Sequence, residues 1–94
     1  MYQVIWSPEA IDSYIEIIDY LLENHSSQSA QKLDKKIATL IGLLQKHEKL
    51  CPASKRFPKL RKCVISKQTS LVYRINQDII EIIAFLDNRS KHLL

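Results

Sequence analysis

The residues best suited to chemistry in this sequence form a dense run of cations in its second half. Five Lys or Arg side chains fall within the eight residues from 55 to 62, and no acid interrupts them. Such a cluster can neutralise phosphates, and an arginine within it can stabilise negative charge that develops at phosphorus. A further arginine lies near the end of the chain. The candidate contact residues for a target or a polyanion are Lys55, Arg56, Lys59, Arg61, Lys62 and Arg89.

Three interpretations of this cationic run remain open from the residues alone. It is a solubilising edge that discourages aggregation, a contact for nucleic acid or another target, or a contact for an acidic protein. A base-stacking platform is poorly supported, because there is little aromatic interleaving beyond Phe57. Residues 55–94 contain nine Lys or Arg against three acids, whereas residues 1–24 contain five acids and neither Lys nor Arg. The positive potential of the C-terminal half favours a negatively charged partner.

The positions of the other polar residues argue against the common catalytic sites. His25, His47 and His92 lie in a turn, near a helix end and in the tail, and none has metal-ligand spacing from a Cys, Asp or Glu. Half of the ten acids follow one stripe of the first predicted helix, so they do not converge as a carboxylate–metal nuclease requires. No serine or cysteine has the strand–turn–helix context of a nucleophile. We therefore expect neither a metal nor a cofactor.

Length and composition predict one domain that comprises residues 1–94, of an ordinary globular type with 46% hydrophobic and 26% charged residues. Two cysteines, Cys51 and Cys63, are too few for a disulfide framework, and we expect them to be buried free thiols. Neither a signal peptide nor an apolar run of about 18 residues is visible. These features predict a cytoplasmic protein that does not span a membrane.

The first third of the chain predicts a short strand and an amphipathic helix. The strand covers residues 2–6. Ser7 and Pro8 then form a favourable helix start, because serine caps the N-terminus and proline fits the first helical position. The helix continues to about Asn24. Its apolar stripe, which we expect to be buried, consists of Ile11, Tyr14, Ile15, Ile18, Leu21 and Leu22.

A second amphipathic helix follows the break at residues 24–27. It begins with a serine cap and runs to about Glu48. Two amphipathic helices joined by a few residues form an antiparallel hairpin. The apolar stripe of the second helix consists of Ala30, Leu33, Ile37, Leu40, Ile41 and Leu44.

The stretch from residue 60 to residue 89 predicts three consecutive β-strands, which cover residues 60–66, 71–75 and 79–86 and are joined by short polar turns. The last strand carries one charged residue, Glu81. Both of its predicted faces are mainly apolar, one with Ile80, Ile82, Ala84 and Leu86 and the other with Ile79, Ile83 and Phe85. It should therefore lie in the middle of a sheet or carry a face that another chain covers. The predicted fold is α+β in the order β-αα-βββ, with an antiparallel helix hairpin on one face of a small, mainly antiparallel sheet.

This order, together with several short motifs, resembles the RelE/ParE superfamily of toxins from type II toxin–antitoxin pairs over nearly the whole chain. The motifs are VIWSPEA at residues 4–10, YLLE at 20–23, LR at 60–61, LVYRI at 71–75 and DNR at 87–89. The resemblance implies a growth-inhibiting toxin of the kind linked to plasmid stabilisation, neutralised by a cognate antitoxin. The antitoxin is expected to be acidic, with a C-terminal segment that is partly disordered until it binds. Its expected contacts are Ile79, Ile83, Phe85 and Arg74.

The ParE-like branch of the superfamily resembles this chain more closely, in the Trp-Ser-Pro-Glu-Ala opening and the long helix hairpin. It typically poisons DNA gyrase and lacks a catalytic set. The alternative is the RelE-like branch, which cuts messenger RNA on the ribosome through a metal-free attack of a 2′-OH group. Under that alternative the catalytic residues would be Arg61, Arg89 and Lys59. The set is incomplete, because Ser70 and Cys63 stand where that branch commonly has Arg and Lys, and no Tyr follows Arg89.

Overall fold

Serine caps fix the start of both helices in the computed structural model, which describes residues 1–89. Ser7 caps α1 (Pro8–Asn24), and its Oγ accepts the backbone N–H of Ala10 at 3.0 Å. This bond satisfies a donor that the first helical turn otherwise leaves free. Ser26 caps α2 (Ser27–Lys46) in the same way. Both caps agree with the sequence prediction, although α2 ends two residues earlier than predicted.

Four strands form one mixed sheet in the order β1-β4-β3-β2. β1 pairs in parallel with β4, whereas the β2–β3 and β3–β4 pairs are antiparallel. The predicted β-αα-βββ arrangement is confirmed. The inner position of β4 also accounts for its two apolar faces, as predicted. The strands are β1 (Gln3–Trp6), β2 (Arg61–Val64), β3 (Thr69–Asn76) and β4 (Ile79–Asp87).

The core lies between the helix hairpin and one face of the sheet. Alternate residues of β3 and β4 point to this face and are fully or almost fully buried, because the helices remove them from water. The predicted packing of a helix hairpin on one face of the sheet is therefore confirmed. The residues at the centre of this core are Ala10, Leu33, Ile37, Leu44, Leu71, Tyr73, Ile80, Ile82 and Phe85.

The buried face of α1 differs from the predicted apolar stripe. Ile11, Ile15 and Leu22 are 46%, 48% and 50% exposed. The helix instead approaches β4 through small residues: Ser13 Oγ accepts the backbone N–H of Phe85 at 2.9 Å. The spacing of large apolar residues does not reveal that a helix packs through small side chains. The prediction was therefore wrong for the three exposed residues. The rest of the stripe packs against the core as predicted, namely Tyr14, Ile18 and Leu21.

An irregularity between β3 and β4 changes which residues of β4 share a face. A register shift between Val72 and Tyr73 leaves Ile83 as an extra residue in β4. The alternation of side chains therefore shifts by one position. Phe85 consequently points toward the helices and is 4% exposed. The prediction that it shares a face with Ile79 is wrong, because a bulge of this kind leaves no mark in the hydrophobic pattern.

Two further findings concern residues 1–89. No helix in this part of the chain is both long and apolar enough to cross a membrane. The same residues contain no group of three His, Cys, Asp or Glu side chains placed to hold a metal ion. His92, which the sequence places in the tail, lies outside the described residues.

Candidate functional site

The predicted cationic run lies on the connection between α2 and β2, and its tip is exposed. We call residues 52–62 the basic loop. Lys55, Arg56 and Lys59 are exposed at its tip. The Arg56 guanidinium lies over the ring of the neighbouring Phe57, 5.8 Å from the ring centroid. The tip is a cationic surface that a polyanion or an acidic protein can reach, and its contact role stays a prediction.

The remaining two cations of the basic loop, Arg61 and Lys62, belong to β2 and are partly buried. Arg61 donates from Nη1 to the carbonyl oxygen of Cys51 at 2.7 Å. This bond joins a residue near the C-terminal end of the loop to the residue that precedes its N-terminal end. Arg61 therefore helps to hold the base of the basic loop, whatever external contact it makes.

Tyr73 in β3 supports the same base from the core. Its side chain is fully buried, and its hydroxyl donates to the carbonyl oxygen of Glu48 at 2.7 Å and accepts the backbone N–H of Cys51 at 3.4 Å. Burial raises the pKa of Tyr73, which keeps the hydroxyl protonated and able to donate. Sequence reasoning missed this role, because an aromatic residue in an apolar strand predicts packing and says nothing about a partner for its hydroxyl.

A disulfide bond joins Cys51 to Cys63, so the prediction of free thiols was wrong. The predicted burial is confirmed, since the two residues are 9% and 3% exposed. The start and end of the basic loop run antiparallel, with an isolated bridge between Ala53 and Arg61. This pairing brings the two cysteine Cα atoms within 5.3 Å of each other. The register of so irregular a pairing cannot be read from the sequence.

Arg89 lies far from the basic loop, in the segment of residues 87–89 that we call the β4 end. The strand register places Arg61 opposite Tyr73, and Tyr73 opposite Ile82. Asp87 is five residues further along β4, a distance of about 17 Å at the usual rise of a strand. The structure therefore does not bring Arg89 together with the other predicted contact residues.

The Arg89 side chain is engaged by its own chain. Its guanidinium forms an ion pair with Asp87 at 2.8 Å, donates to the Tyr20 hydroxyl at 3.4 Å and lies 5.2 Å from the centroid of the Tyr20 ring. The Asp87 carboxylate holds the pKa of Arg89 above its usual value. An open cleft of about 420 Å³ lies beside it, between the helix hairpin and the sheet, and also borders Lys32 and Lys36.

Ser70 and Asn88 make a second internal contact at the β4 end. Ser70 is fully buried, and its Oγ donates to Asn88 Oδ1 at 2.7 Å. Asn88 Nδ2 in turn donates to the carbonyl oxygen of Ser66 at 3.2 Å. The resemblance noted in the sequence implies an arginine at this position in the RelE-like branch. That position therefore holds a neutral hydroxyl that already has a partner.

The sheet face opposite the helices contains two of the four predicted antitoxin contacts. Ile79 and Arg74 lie there by strand alternation, and Arg74 forms an ion pair with a neighbouring glutamate. The half-buried bulge residue Ile83 lies between the two faces. Ile5 and Val64, on the two edge strands of this face, are 41% and 71% exposed, so its edges offer apolar surface to a partner, whereas Val72 at its centre is 1% exposed. Phe85, by contrast, is in the core against the rings of Trp6 and Tyr14.

Comparison with known proteins gives one matching sequence family and several solved structures with a similar fold. The family model described as the ParE toxin of type II toxin–antitoxin systems, parDE, matches residues 4–91. No curated protein matches the chain in sequence. Its fold is similar to that of a chain from the chromosomal ParDE toxin–antitoxin system of P. aeruginosa. That chain is 18% identical, and the match has a TM-score of 0.77 and covers 93% of this chain and 96% of that one.

Two further solved structures have similar folds. A copper-bound mutant toxin from Helicobacter pylori is 21% identical, with a TM-score of 0.72, and the match covers 95% of this chain and 97% of that one. The YoeB dimer from Staphylococcus aureus is 21% identical, with a TM-score of 0.64 and coverage of 90% and 94%. At these identities the likeness concerns the fold alone.

Proposed function

This chain belongs to the ParE toxin family of type II toxin–antitoxin systems, and from that premise we propose that it inhibits growth by poisoning DNA gyrase, by binding and without catalysis. The proposal depends on one observation, which is that the polar side chains at the β4 end are bonded to one another. Ser70, which by the resemblance stands where the RelE-like branch commonly has an arginine, is buried and bonded to Asn88. The cation beside it, Arg89, is paired with Asp87. The proposal requires the chain to act in the cytoplasm, where gyrase meets DNA.

The basic loop is the surface we assign to the target. Lys55, Arg56 and Lys59 are exposed at its tip, and a gyrase–DNA complex offers them phosphates and acidic protein surface. Cations that contact phosphates release counterions, which gives such binding a strong dependence on salt. The excess positive charge of residues 55–94 would also speed the encounter. Arg61 and Lys62 would contribute from the base of the loop.

A cognate antitoxin is the second partner, and we assign to it the sheet face opposite the helices. Ile79, Ile83 and Arg74 remain its proposed contacts there. Phe85 is withdrawn from that set, because it is 4% exposed and packs in the core. An acidic, partly disordered C-terminal segment would cover apolar surface on this face and approach the positive half of the chain. One structural neighbour is the heterotetrameric YoeB–YefM toxin–antitoxin complex from Staphylococcus aureus.

The alternative is a RelE-like ribonuclease that acts on messenger RNA at the ribosome. The fold likeness to YoeB and YafQ and the presence of Lys59, Arg61 and Arg89 favour it. Two arrangements weigh against it. Arg61 lies level with Ile82 of β4, about 17 Å from Asp87 along the strand direction, and Arg61 and Arg89 are each bonded within the chain.

Two assays on the purified chain separate these functions. In the first, gyrase, ATP and supercoiled plasmid are incubated with the chain, and cleaved-DNA complexes are trapped with detergent and protease. In the second, messenger RNA is followed in a translating extract that contains the chain. We expect linear plasmid to accumulate while the messenger RNA stays intact. Cleaved messenger RNA without gyrase complexes would overturn the proposal in favour of the ribonuclease, and inactivity in both assays would contradict both.

A further inference from the structure

The disulfide closes a ring around the whole basic loop. Cys51 immediately precedes the loop and Cys63 immediately follows it, and the two are 12 positions apart. The ring therefore links the segment that follows α2 to β2, and it encloses five cations. They are Lys55, Arg56, Lys59, Arg61 and Lys62.

The other contacts that hold the loop are hydrogen bonds close to its base. The backbone N–H of Ser54 donates to the carbonyl oxygen of Leu60 at 2.8 Å, and that of Lys62 donates to Pro52 at 3.3 Å. Arg61 and Tyr73 add the two side-chain bonds described above. The exposed tip lies beyond these bonds. The covalent cross-link is thus the strongest restraint on how far the tip can move from β2.

We propose that Cys51 and Cys63 form a thiol–disulfide redox site that controls how firmly the basic loop is held. The oxidised chain presents its cations from a closed loop, and the reduced chain presents them from a loop that opens. The consequence for target binding rests on the proposed function, whereas the effect on the loop does not. A reducing compartment favours the dithiol and an oxidising one the disulfide, so the state of the loop would report the surrounding redox conditions.

The exchange needs a low-molecular-weight thiol as reductant. Its thiolate attacks Sγ of Cys51, the more exposed of the two cysteines, and the Sγ–Sγ bond breaks as Cys63 leaves as a thiolate. A second thiolate attacks the mixed disulfide and releases Cys51 together with a small-molecule disulfide. Two thiols are oxidised by two electrons in total, the protein disulfide is reduced, and each protein thiolate takes a proton. The reverse sequence needs a small-molecule disulfide as oxidant.

The fold can accommodate both states. Each sulfur lies in the hydrophobic core, where a free cysteine behaves as a small apolar side chain. The backbone of Cys51 accepts a hydrogen bond from Arg61 and donates one to the Tyr73 hydroxyl, and neither bond involves the two sulfur atoms. Reduction should therefore loosen the loop locally and leave the helices and sheet folded. Loss of a cross-link that closes about a dozen residues favours the open loop by about 100-fold.

Limited proteolysis measures the opening directly, because trypsin cleaves after the cations at the tip. The full chain is digested with and without dithiothreitol, every sample is fully reduced after quenching, and cut sites are identified by mass spectrometry. We expect cleavage after Lys55, Arg56 and Lys59 to be about 100-fold faster in the reduced chain. Cleavage after Lys32, Lys35 and Lys36 on α2 serves as the internal control and should not change. Equal rates at the tip in both states would overturn the proposal.

A double variant, Cys51→Ala with Cys63→Ala, tests the same inference without a reductant. It should show the fast cleavage in both conditions, with unchanged circular dichroism. If the variant does not fold, the comparison of the oxidised and reduced wild-type chain still tests whether the disulfide restrains the loop. Alkylation of two thiols in the native chain under oxidising conditions would also overturn the proposal, because it would show that no disulfide forms.

The effect of the redox state on gyrase poisoning is measured in a separate assay. With gyrase and plasmid, the oxidised chain should give half-maximal cleavage complexes at a concentration about 10-fold lower than the reduced chain, since a preformed loop binds without an ordering cost. The double variant with and without dithiothreitol controls for effects on gyrase. If reduction speeds tryptic cleavage at the tip but does not change gyrase poisoning, the role of the loop in target contact is contradicted. The proposed redox site would still be supported. A chain that poisons gyrase with no redox effect on the tip would contradict the redox site alone.

Discussion

The basic loop and the β4 end both contain cations that the sequence marks as contact residues, yet the chain uses them differently. The base of the basic loop is held by hydrogen bonds from Tyr73 and Arg61 and by the disulfide, while the tip is exposed. At the β4 end the polar groups satisfy one another, through the Arg89–Asp87 pair and the Ser70–Asn88 bond. The difference teaches that cationic residues identify a contact surface only when their partners lie outside the chain.

The largest effect on stability is expected from Asn88→Ala at the β4 end. The substitution removes the acceptor of the fully buried Ser70 hydroxyl and the donor to the carbonyl oxygen of Ser66. An unpaired buried polar group costs about 1–3 kcal/mol, and we expect the free energy of unfolding to fall by that amount in urea titrations. Asn88→Asp keeps an acceptor for Ser70 and should cost less. Unchanged stability of Asn88→Ala would show that the β4 end is not closed on itself.

A somewhat smaller loss is expected from Tyr73→Phe beneath the basic loop. The variant keeps the ring in the core but leaves the Glu48 carbonyl oxygen and the Cys51 N–H without the hydroxyl that bonds both. We expect about 1–2 kcal/mol of destabilisation by the same titration. The matched control is Tyr20→Phe at the β4 end, where the hydroxyl is exposed and its bond to Arg89 is long. An equal loss in both variants would contradict the contrast between a buried anchor and a surface contact.

Local signals in the sequence predicted most of the fold. The serine caps, the proline at residue 8 and the polar turns act within a few residues, so they are visible without tertiary structure. The two apolar faces of β4 correctly indicated an inner strand. The features that were missed depend on how distant segments approach each other. They are the exposed Ile11 and Ile15, the extra residue Ile83 and the Cys51–Cys63 pairing.

The candidate site was predicted only in part, for the same physical reason. The density of charge at residues 55–62 located the basic loop, because it is a property of adjacent residues. Whether a cation is already paired is a property of the folded chain. Arg89 and Arg61 therefore looked equivalent to Lys59 in the sequence, although each has a partner within the chain.

The smallest effect on stability is expected at the tip of the basic loop. Replacing Lys55, Arg56 and Lys59 together by Ala should change the free energy of unfolding by no more than about 0.5 kcal/mol. These side chains are exposed, and the contact of Arg56 with the Phe57 ring lies at the surface. The measurement is again a urea titration, with Asn88→Ala as the destabilised reference. A loss comparable to that of the reference would mean that the tip is part of the fold, and the contrast between the two regions would fail.

The most direct test of the account is gyrase poisoning by two variants with the same change in net charge. One carries Lys55→Glu, Arg56→Glu and Lys59→Glu in the basic loop, and the other carries Lys32→Glu, Lys35→Glu and Lys36→Glu on α2. The quantity measured is the concentration of toxin that gives half-maximal cleaved-DNA complexes. We predict an increase of at least about 100-fold for the loop variant and less than about threefold for the α2 variant, because reversed charges repel only the partner that they face. Equal increases in the two variants would contradict the assignment of the target to the basic loop.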